Sequence, residues 1–314
     1  MTVKLKIGVV GVGHLGSQHA RVLAEIEESE LVGVYDIDRE RAKAVGERYG
    51  VAAFSSLEEL LGETEAVSCA VPTESHYEVA REVLRAGRHL FLEKPMARTV
   101  KEAEELLDLA VKGGLKFQIG HIERFNPAVL RAQEFIKDPK FVEAHRLAPY
   151  NPRGTDVDVV LDLMIHDLDL LLHFMGKYPV KVDAVGVPVL TDKVDIANVR
   201  LEFEGGEIAN VTASRVSVEK LRKIRLFQKD TYISIDYLNK SIDLYRKRNG
   251  EIVPFPLEVD RSLEPLKLEL RAFVRSVLED RTPPVSAEEG ILAQRLAEEV
   301  IEKIKQRLER AKLL

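Results

Sequence analysis

The sequence predicts an α/β protein in which an N-terminal doubly wound parallel sheet is followed by a strand-rich second region. Short apolar runs alternate with amphipathic helices over the first 120 residues, which is typical of a parallel sheet covered on both faces. A glycine-rich turn follows the first apolar run. Residues 180–247 contain successive strand-like runs without intervening helices, which indicates a second sheet of a different kind.

The first half contains the alternating elements of the parallel sheet. Gly50 and Gly87 end two of the helices, where glycine favours a left-handed cap. The last apolar run ends near Gly120, so we expect one domain over residues 1–120 and a second over residues 121–314. The strands are predicted at residues 4–13, 31–38, 66–72, 89–95 and 116–121, and the helices at 17–28, 39–50, 56–62, 74–87 and 99–114.

The second half combines helices with a run of strands. A helix is predicted to begin near Pro127, because proline is favoured in the first helical turn. A longer apolar helix is predicted over residues 161–176. The segment EGGE at 204–207 is a hairpin signal. The strands are predicted at residues 180–190, 195–206, 207–217, 223–239 and 241–247.

The glycine-rich turn has the spacing of a dinucleotide-binding motif. Gly11 permits a tight turn, Gly13 lets the backbone approach a pyrophosphate, and Gly16 allows close packing of helix against strand. The N-terminus of the following helix supplies amide groups and a positive dipole for the phosphates. The predicted cofactor loop is Gly11, Val12, Gly13, His14, Leu15 and Gly16.

An acidic residue ends the second strand, twenty residues after the last glycine of the motif. Asp36 can accept hydrogen bonds from both ribose hydroxyls, and its charge would repel a 2′-phosphate. We therefore expect NAD as the cofactor. Arg39 and Arg41 lie close in the sequence and leave NADP as the less favoured alternative.

Four ionisable residues share one face of the apolar helix over residues 161–176. Asp162, His166, Asp169 and His173 fall at i, i+4, i+7 and i+11, which is one face at the helical period. Burying such groups is costly unless they are used. A metal site, a proton-transfer site and a satisfied core network are the three interpretations.

The metal interpretation is the weakest of the three. Asp169 or His121 could add a third ligand, but the sequence lacks an H-E-x-x-H motif and a cysteine cluster. Histidine titrates near neutral pH and suits reversible alcohol–ketone chemistry, so proton transfer is favoured and no metal is expected.

Composition limits the partners and the location. The 314 residues carry a net charge of −6 without a basic patch, which argues against nucleic acid. The lone cysteine, Cys69, lies in an apolar run and fits a buried position in a reducing compartment. No apolar segment resembles a signal peptide or a membrane span, so we expect a cytoplasmic protein.

Further motifs identify a family. The fifth strand ends in Glu93-Lys94-Pro95, preceded by a strand-end proline, Pro72, and by a histidine, His76, on the next helix. Together with the glycine motif and the D-x-x-x-H-x-x-D pattern, this arrangement resembles the glucose–fructose oxidoreductase / inositol dehydrogenase (Gfo/Idh/MocA) family. The resemblance implies a Rossmann domain followed by a C-terminal α+β domain with a large, mostly antiparallel sheet. It also implies a homodimer or homotetramer.

The resemblance assigns roles to the polar residues. Lys94, at the carboxyl end of a parallel strand, would contact the reacting hydroxyl, and His166 would be the acid/base with Asp162 orienting it. Asp169 would support this pair, His173 is interpreted as a structural residue near the helix end, and Asp167 as solvated or interdomain. The remaining cofactor contacts are expected from Pro72, His76, Glu93, Lys94 and His121.

Two segments indicate the substrate. Residues 120–130 and 148–172 resemble the branch of the family that acts on nucleotide sugars, which implies oxidation of the 3-hydroxyl of UDP-N-acetylglucosamine. A downstream aminotransferase would then be a pathway partner. Arg124 and Arg153 could bind the diphosphate, Tyr150 could stack on the uracil, and Asn126 or Asn151 could read hydroxyls or the acetamide. The competing interpretations are an ion pair for Arg124, a surface cation for Arg153 and a helix cap for Asn126.

Two other functions stay open at this point. One is an NAD(P)-dependent oxidoreductase for a free sugar, inositol or another small substrate. The other is a non-catalytic protein that binds NAD as a regulatory signal. The joint presence of Lys94, Asp162 and His166 argues against the second.

Overall fold

The computed structural model describes residues 3–151 and 157–311, and the chain forms two compact units. The first comprises Met1–Ile122 and Glu264–Ile291, and the second comprises Glu123–Leu263 and Leu292–Leu314. The sequence predicts a single boundary at residue 120. The chain instead changes unit three times, and the segment Glu264–Ile291 belongs to the first unit rather than to the second.

The first unit contains a six-stranded sheet in the order β3-β2-β1-β4-β5-β6, with all strands parallel. This is the doubly wound order, in which the strand sequence reverses beside β1. The strands are β1 (Leu5–Val10), β2 (Ser29–Tyr35), β3 (Ala52–Ala53), β4 (Ala66–Cys69), β5 (His89–Glu93) and β6 (Phe117–Gly120). The helices between them are α1 (His14–Glu25), α2 (Arg39–Tyr49), α3 (Leu57–Glu63), α4 (Thr73–Arg85) and α5 (Val100–Gly113).

The returning segment completes the core of the first unit. It contains helix α8 (Pro265–Leu278), whose apolar face packs with β1 and α1. The rings of Phe91 and Phe273 meet edge to face with centroids 5.9 Å apart. Arg271 and Arg275 form ion pairs with Glu28. The sequence prediction missed this return because nothing in the pattern of α8 shows which sheet its apolar face covers.

The second unit contains an eight-stranded sheet in the order β14-β13-β12-β11-β7-β10-β9-β8. Only the β7–β10 pair is parallel, so the sheet is mostly antiparallel as expected. The predicted run over residues 223–239 is two strands joined by a turn, and β7 and β14 were not predicted. The strands are β7 (Phe141–Leu147), β8 (Lys181–Val187), β9 (Ile196–Glu202), β10 (Ile208–Ser214), β11 (Leu221–Gln228), β12 (Thr231–Asp236), β13 (Ser241–Arg248) and β14 (Glu251–Pro254).

One face of this sheet is covered by helices, and residues alternate accordingly along each strand. Val142 and Ala144 on β7 are buried, as are Ile224 and Leu226 on β11, and these positions define the inner face of the sheet. The helices of this unit include α6 (Pro127–Ala132) and α7 (Ile165–Met175), and α9 (Ala287–Arg310) contributes its C-terminal part. Among the described residues, no helix is long and apolar enough to cross a bilayer.

The helix predicted over residues 161–176 begins with an irregular turn. Val160–Met164 is a π-helical turn, and the regular α7 starts at Ile165. A π turn contains more residues than an α turn, so Asp162 is displaced from the position that a uniform 100° step assigns to it. Such turns are frequent at functional sites, and this one contains the first acid of the D-x-x-x-H-x-x-D pattern.

The loop after β8 is organised around one buried acid. Asp195 accepts hydrogen bonds from the backbone N–H groups of Val189, Leu190 and Thr191, and Arg215 donates to it at 2.8 Å. Burial alone would raise the pKa of Asp195, but these donors outweigh it and hold the pKa below its ordinary range. Its carboxylate therefore stabilises the folded state at neutral pH.

We expect Asp195→Asn to lower the free energy of unfolding at pH 7 by about 3 kcal/mol, because Arg215 loses its buried counter-ion. The unfolded state takes up a proton at this position near pH 4 while the folded state does not, so the contribution of Asp195 is lost as the pH falls further. The difference between wild type and variant should narrow below about pH 4 in urea titrations. Asp192→Asn, at an exposed position in the same loop, is the control.

Candidate active site

The glycine loop between β1 and α1 has the close approaches that the motif predicts. Gly11 has a φ of +80°, in the left-handed region that favours glycine. A Cβ on Gly16 would lie 1.8 Å from the carbonyl oxygen of Gly11, so helix and strand meet there without room for a side chain. A Cβ on Gly13 would meet nothing within 4 Å. The loop therefore has an open side at Gly13, which fits the approach of a pyrophosphate.

We expect Gly16→Ala and Gly13→Ala to have different effects. The first places Cβ against backbone that cannot move aside, so we expect it to destabilise the protein by about 3 kcal/mol or more and to abolish NADH binding. The second should leave the melting temperature nearly unchanged but weaken NADH binding, because the methyl group occupies the open side. Thermal unfolding and NADH fluorescence titration distinguish them; a normal affinity in Gly13→Ala would contradict the proposed phosphate position.

Asp36 directly follows β2 and is hydrogen-bonded to the glycine loop. Its carboxylate accepts hydrogen bonds from the backbone N–H groups of Val12 at 2.8 Å and Asp38 at 2.9 Å. Arg41 lies 3.5 Å from the same carboxylate and 3.0 Å from the carboxylate of Asp38. Asp36 thus lies close to the glycine loop, as predicted. Arg41 is paired with both Asp36 and Asp38. His14 and Leu15 are exposed at the start of α1.

Lys94 follows β5, at the carboxyl end of the parallel sheet. It is half-buried, and its peptide bond to Pro95 is cis. His76 contacts the carbonyl oxygen of Pro95 at 2.6 Å and that of Val71 at 2.9 Å through its two ring nitrogens. Burial lowers the pKa of His76. His76 therefore joins the loops after β4 and β5, and its contact with the cofactor stays a prediction.

A buried polar chain beside Lys94 was missed by the sequence prediction. His19, on α1, contacts the Ser68 hydroxyl at 2.8 Å through Nδ1 and lies 3.2 Å from the Glu93 carboxylate through Nε2. The same carboxylate packs against Gly120, where a Cβ would be 2.8 Å away. Glu93 is therefore directed toward His19, and the residue before Lys94 is fixed from two sides. The available signal was a histidine on the buried face of α1, three positions after Gly16.

Cys69, at the end of β4, is fully buried. Burial raises the pKa of its thiol to about 12, so the thiolate is not formed near neutral pH. This agrees with the predicted role of a small buried side chain. Pro72 precedes α4 and is exposed, and His121 is buried at the end of β6.

In the second unit, the polar helix face divides into two parts. Asp162 and His166 are half-buried, whereas Asp169 is only 1% exposed. Arg124 donates to both oxygens of Asp169, at 2.7 and 2.9 Å. This buried, bidentate pair favours the ion-pair interpretation of Arg124 over a diphosphate contact and gives Asp169 its supporting role.

A second ion network was not anticipated and corrects the expectation for Asp167. Asp167 is fully buried and accepts two hydrogen bonds from Arg146, which also donates to Glu123 at 2.9 Å. Burial raises the pKa of Asp167, opposed by the charge of Arg146. The ring of Tyr237 lies beneath the guanidinium of Arg146, 5.4 Å away. Asp167 is thus neither solvated nor interdomain, because its side chain points at the inner face of the sheet.

His173 lies in the last turn of α7, where it contacts the side chain of Gln133 at 2.8 Å. Burial, with the nearby charge of Arg124, lowers the pKa of His173 to about 4, so the ring is neutral at pH 7. This agrees with a structural role, although without the positive charge that a helix C-terminus favours.

The remaining substrate candidates differ in what the structure shows. Asn126 caps α6, and its amide also donates to Glu123 and to the carbonyl oxygen of Tyr237, which agrees with the helix-cap interpretation. Tyr150 is 44% exposed. Arg153 lies outside the described residues. Within residues 3–151 and 157–311, no group of three or more His, Cys, Asp or Glu side chains could hold a metal ion.

Comparison with known proteins identifies the family. Residues 5–121 match the oxidoreductase family with an NAD-binding Rossmann fold, Gfo/Idh/MocA, and residues 134–232 match the C-terminal domain of that family. The chain belongs to the Gfo/Idh/MocA family. It is therefore an oxidoreductase with a nicotinamide-cofactor domain, as the motifs predicted.

Individual Gfo/Idh/MocA proteins match nearly the whole chain. UDP-N-acetylglucosamine 3-dehydrogenase of Acidithiobacillus ferrooxidans is 40% identical over 297 residues, which cover 94% of this chain and 93% of the relative. A solved structure of that enzyme superposes with a TM-score of 0.92 and covers 97% of this chain and 99% of its own. Myo-inositol 2-dehydrogenase of Thermotoga maritima is 26% identical and covers 92% of this chain and 93% of the relative.

Proposed function

We propose that this oxidoreductase oxidises the 3-hydroxyl of UDP-N-acetylglucosamine to a ketone with NAD. The observation that carries the proposal is the 40% identity to an enzyme of that activity over 94% of the chain. The resemblance to the family assigns the chemistry to Lys94, Asp162 and His166.

The cofactor would be held by the loop from Gly11 to Gly16 and by Asp36. The open side at Gly13 accommodates the pyrophosphate, and Asp36 would accept hydrogen bonds from the ribose hydroxyls. His121 is proposed to contact the ribose on the nicotinamide side. When bound, the nicotinamide ring accepts the hydride from the carbinol carbon.

NAD is proposed over NADP because the single cation beside Asp36 is already paired with two acids, which leaves a net negative charge. Arg41 is within 3.5 Å of Asp36 and 3.0 Å of Asp38, so it offers a 2′-phosphate a cation surrounded by acids. We expect Asp36→Ser to raise the ratio of kcat/KM for NADP to that for NAD by about tenfold or more, which corresponds to about 1.4 kcal/mol of removed repulsion. Comparing initial rates with the two cofactors tests this, and an unchanged ratio would contradict the assignment.

Lys94, His166 and Asp162 are proposed to handle the proton. His166 would take the hydroxyl proton as the hydride leaves, and Asp162 would orient its ring. Lys94 would donate a hydrogen bond to the oxygen as negative charge develops on it. Tyr150 and Arg153 are retained as proposed contacts to the nucleotide, whereas the contacts of Arg124 and Asn126 within the protein weaken their candidacy.

We also propose the setting of the reaction. A 3-keto sugar nucleotide is reactive, and an aminotransferase that consumes it is the expected next enzyme. The chain is proposed to act in the cytoplasm as a homodimer or homotetramer. Light scattering coupled to size-exclusion chromatography measures the assembly directly, and a monomer at micromolar concentration would contradict this part of the proposal.

The decisive experiment is a substrate panel followed at 340 nm. UDP-N-acetylglucosamine, other UDP-sugars, free N-acetylglucosamine and inositol are supplied with NAD, coupled to a ketone trap to draw the reaction forward. We expect NADH formation with the UDP-linked amino sugar alone. Turnover of a free sugar or inositol without turnover of any UDP-sugar would overturn the substrate assignment.

A further inference from the structure

Arg222 stands out among the cations of the second unit. It lies on β11, and its side chain points to the inner face of the sheet with Ile224 and Leu226. It is half-buried, and its Nε atom is shielded from solvent without a hydrogen-bond partner. Its guanidinium forms no hydrogen bond or ion pair with the part of the chain that the structure describes.

The register of the sheet makes this arrangement costly. Arg222 is directly opposite Arg146 in the antiparallel pair of β7 and β11, so two guanidinium groups meet on the same face. Asp167 and Glu123 make their direct contacts with Arg146, and their charges act on Arg222 only from beyond ion-pair distance. Burial lowers the pKa of Arg222, and the charge of Arg146 lowers it further. A shielded N–H donor without an acceptor is unfavourable, which indicates that a ligand supplies the acceptor for Nε.

The surroundings of Arg222 indicate which ligand this is. Arg222 is opposite Arg146, which bonds Asp167 on α7, so Arg222 faces the helical segment that also carries Asp162 and His166. An anion bound by Arg222 would therefore belong to a molecule that also reaches the polar helix face. In the substrate of the proposed function, the diphosphate is the anionic part. Arg124, predicted to bind it, is instead held by Asp169.

We propose that Arg222 is a substrate-binding residue that takes a phosphate group of the nucleotide sugar. The inference rests on the proposed function for the identity of the sugar nucleotide. The planar guanidinium offers two parallel N–H donors that match two phosphate oxygens.

The test is isothermal titration with saturating NAD, which occupies the phosphate site of the glycine loop. UDP, inorganic pyrophosphate and uridine are titrated into wild type, Arg222→Gln and Arg222→Lys. We expect Arg222→Gln to weaken UDP and pyrophosphate binding roughly 10- to 100-fold and to leave uridine binding unchanged. Arg222→Lys should recover part of the affinity, because it restores the charge without the fork.

The control is Arg225→Gln on the same strand. Arg225 points to the opposite face, where it pairs with Glu143 at 3.2 Å, so its loss should not alter any of the three affinities. The melting temperature of Arg222→Gln should be close to that of wild type, because the lost repulsion with Arg146 and the lost attraction to Glu123 and Asp167 oppose each other. If Arg222→Gln loses affinity for UDP and pyrophosphate but keeps its melting temperature, Arg222 acts in ligand binding rather than in the stability of the fold.

Two results would overturn the proposal. In the first, Arg222→Gln binds UDP and pyrophosphate as wild type does but has a lower kcat and a shifted pH profile of the rate. Arg222 would then be a positioning residue for Asp162. The other is an equal loss of uridine and UDP binding, which would indicate a damaged fold. If pyrophosphate binding depends on Arg222 but no UDP-sugar is oxidised, the phosphate site stands and the proposed function fails.

Discussion

Lys94→Ala should lower kcat for the alcohol–ketone reaction by about 100- to 10,000-fold, the range for loss of a positioned proton donor or acceptor. Lys94 extends from the carboxyl end of β5, where doubly wound sheets bind their ligands. Its neighbours are fixed on both sides, by the contacts of Glu93 with His19 and of Pro95 with His76. Removing the amine therefore removes a preorganised group, while the backbone around it is retained.

Steady-state rates at saturating NAD and substrate measure this loss, and NADH fluorescence titration measures whether the cofactor still binds. We expect the cofactor affinity to change by less than about threefold, since Lys94 is proposed to act on the substrate oxygen. Arg98→Ala is the matched control, because Arg98 is an exposed cation four residues further on. Activity that survives in Lys94→Ala would refute the proposed mechanism, and an equal loss in Arg98→Ala would indicate a general effect of charge.

Asp167→Ala should lower the free energy of unfolding by about 3–5 kcal/mol, the cost of leaving a buried charge without its partner. Arg146 is 2% exposed and donates two hydrogen bonds to the carboxylate of Asp167. Glu123 remains beside it after the substitution, but through a single contact at 2.9 Å. The strand pairing also places Arg222 opposite the uncompensated Arg146.

Urea unfolding followed by circular dichroism gives this free energy, provided that the variant unfolds in one transition. Asp183→Ala is the control, because the ion pair of Asp183 with Arg307 is exposed and should contribute less than about 1 kcal/mol. Arg146→Met combined with Asp167→Leu and Glu123→Gln should recover much of the lost stability, since uncharged side chains of similar volume can replace a buried ion network. A single Asp167→Ala variant as stable as wild type would show that the network does not hold the helix to the sheet.

The first sheet could be predicted in detail because its signals are local. The apolar runs, the helix-ending glycines and the spacing from Gly16 to Asp36 each depend on residues that are close to one another in the sequence. The left-handed cap at Gly50 and the helix beginning at Pro127 follow from the same local chemistry. The short β3 was missed, because two exposed alanines carry no apolar pattern.

The partners of the polar residues could not be predicted, because they come from distant parts of the chain. Asp167 was expected to be solvated, since its helix position departs from the face shared by Asp162 and His166. Its partner Arg146 lies on a strand that the sequence pattern did not reveal. Similarly, the sequence around Arg222 does not show that this residue lies opposite Arg146 on the neighbouring strand. Helical spacing identifies which groups share a face, but only the tertiary pairing shows which of them are already neutralised.

The return of Glu264–Ile291 to the first unit has a consequence for biosynthesis. The apolar face of α8 completes a core whose other members, on β1 and α1, leave the ribosome far earlier. Until residue 273 has been translated, Phe91 lacks the ring of Phe273 against which it packs. The apolar surface of the nascent N-terminal sheet is therefore uncovered during synthesis of the whole segment Glu123–Leu263. Such an intermediate is a natural client for chaperones, and a fragment ending at Ile122 should aggregate rather than fold.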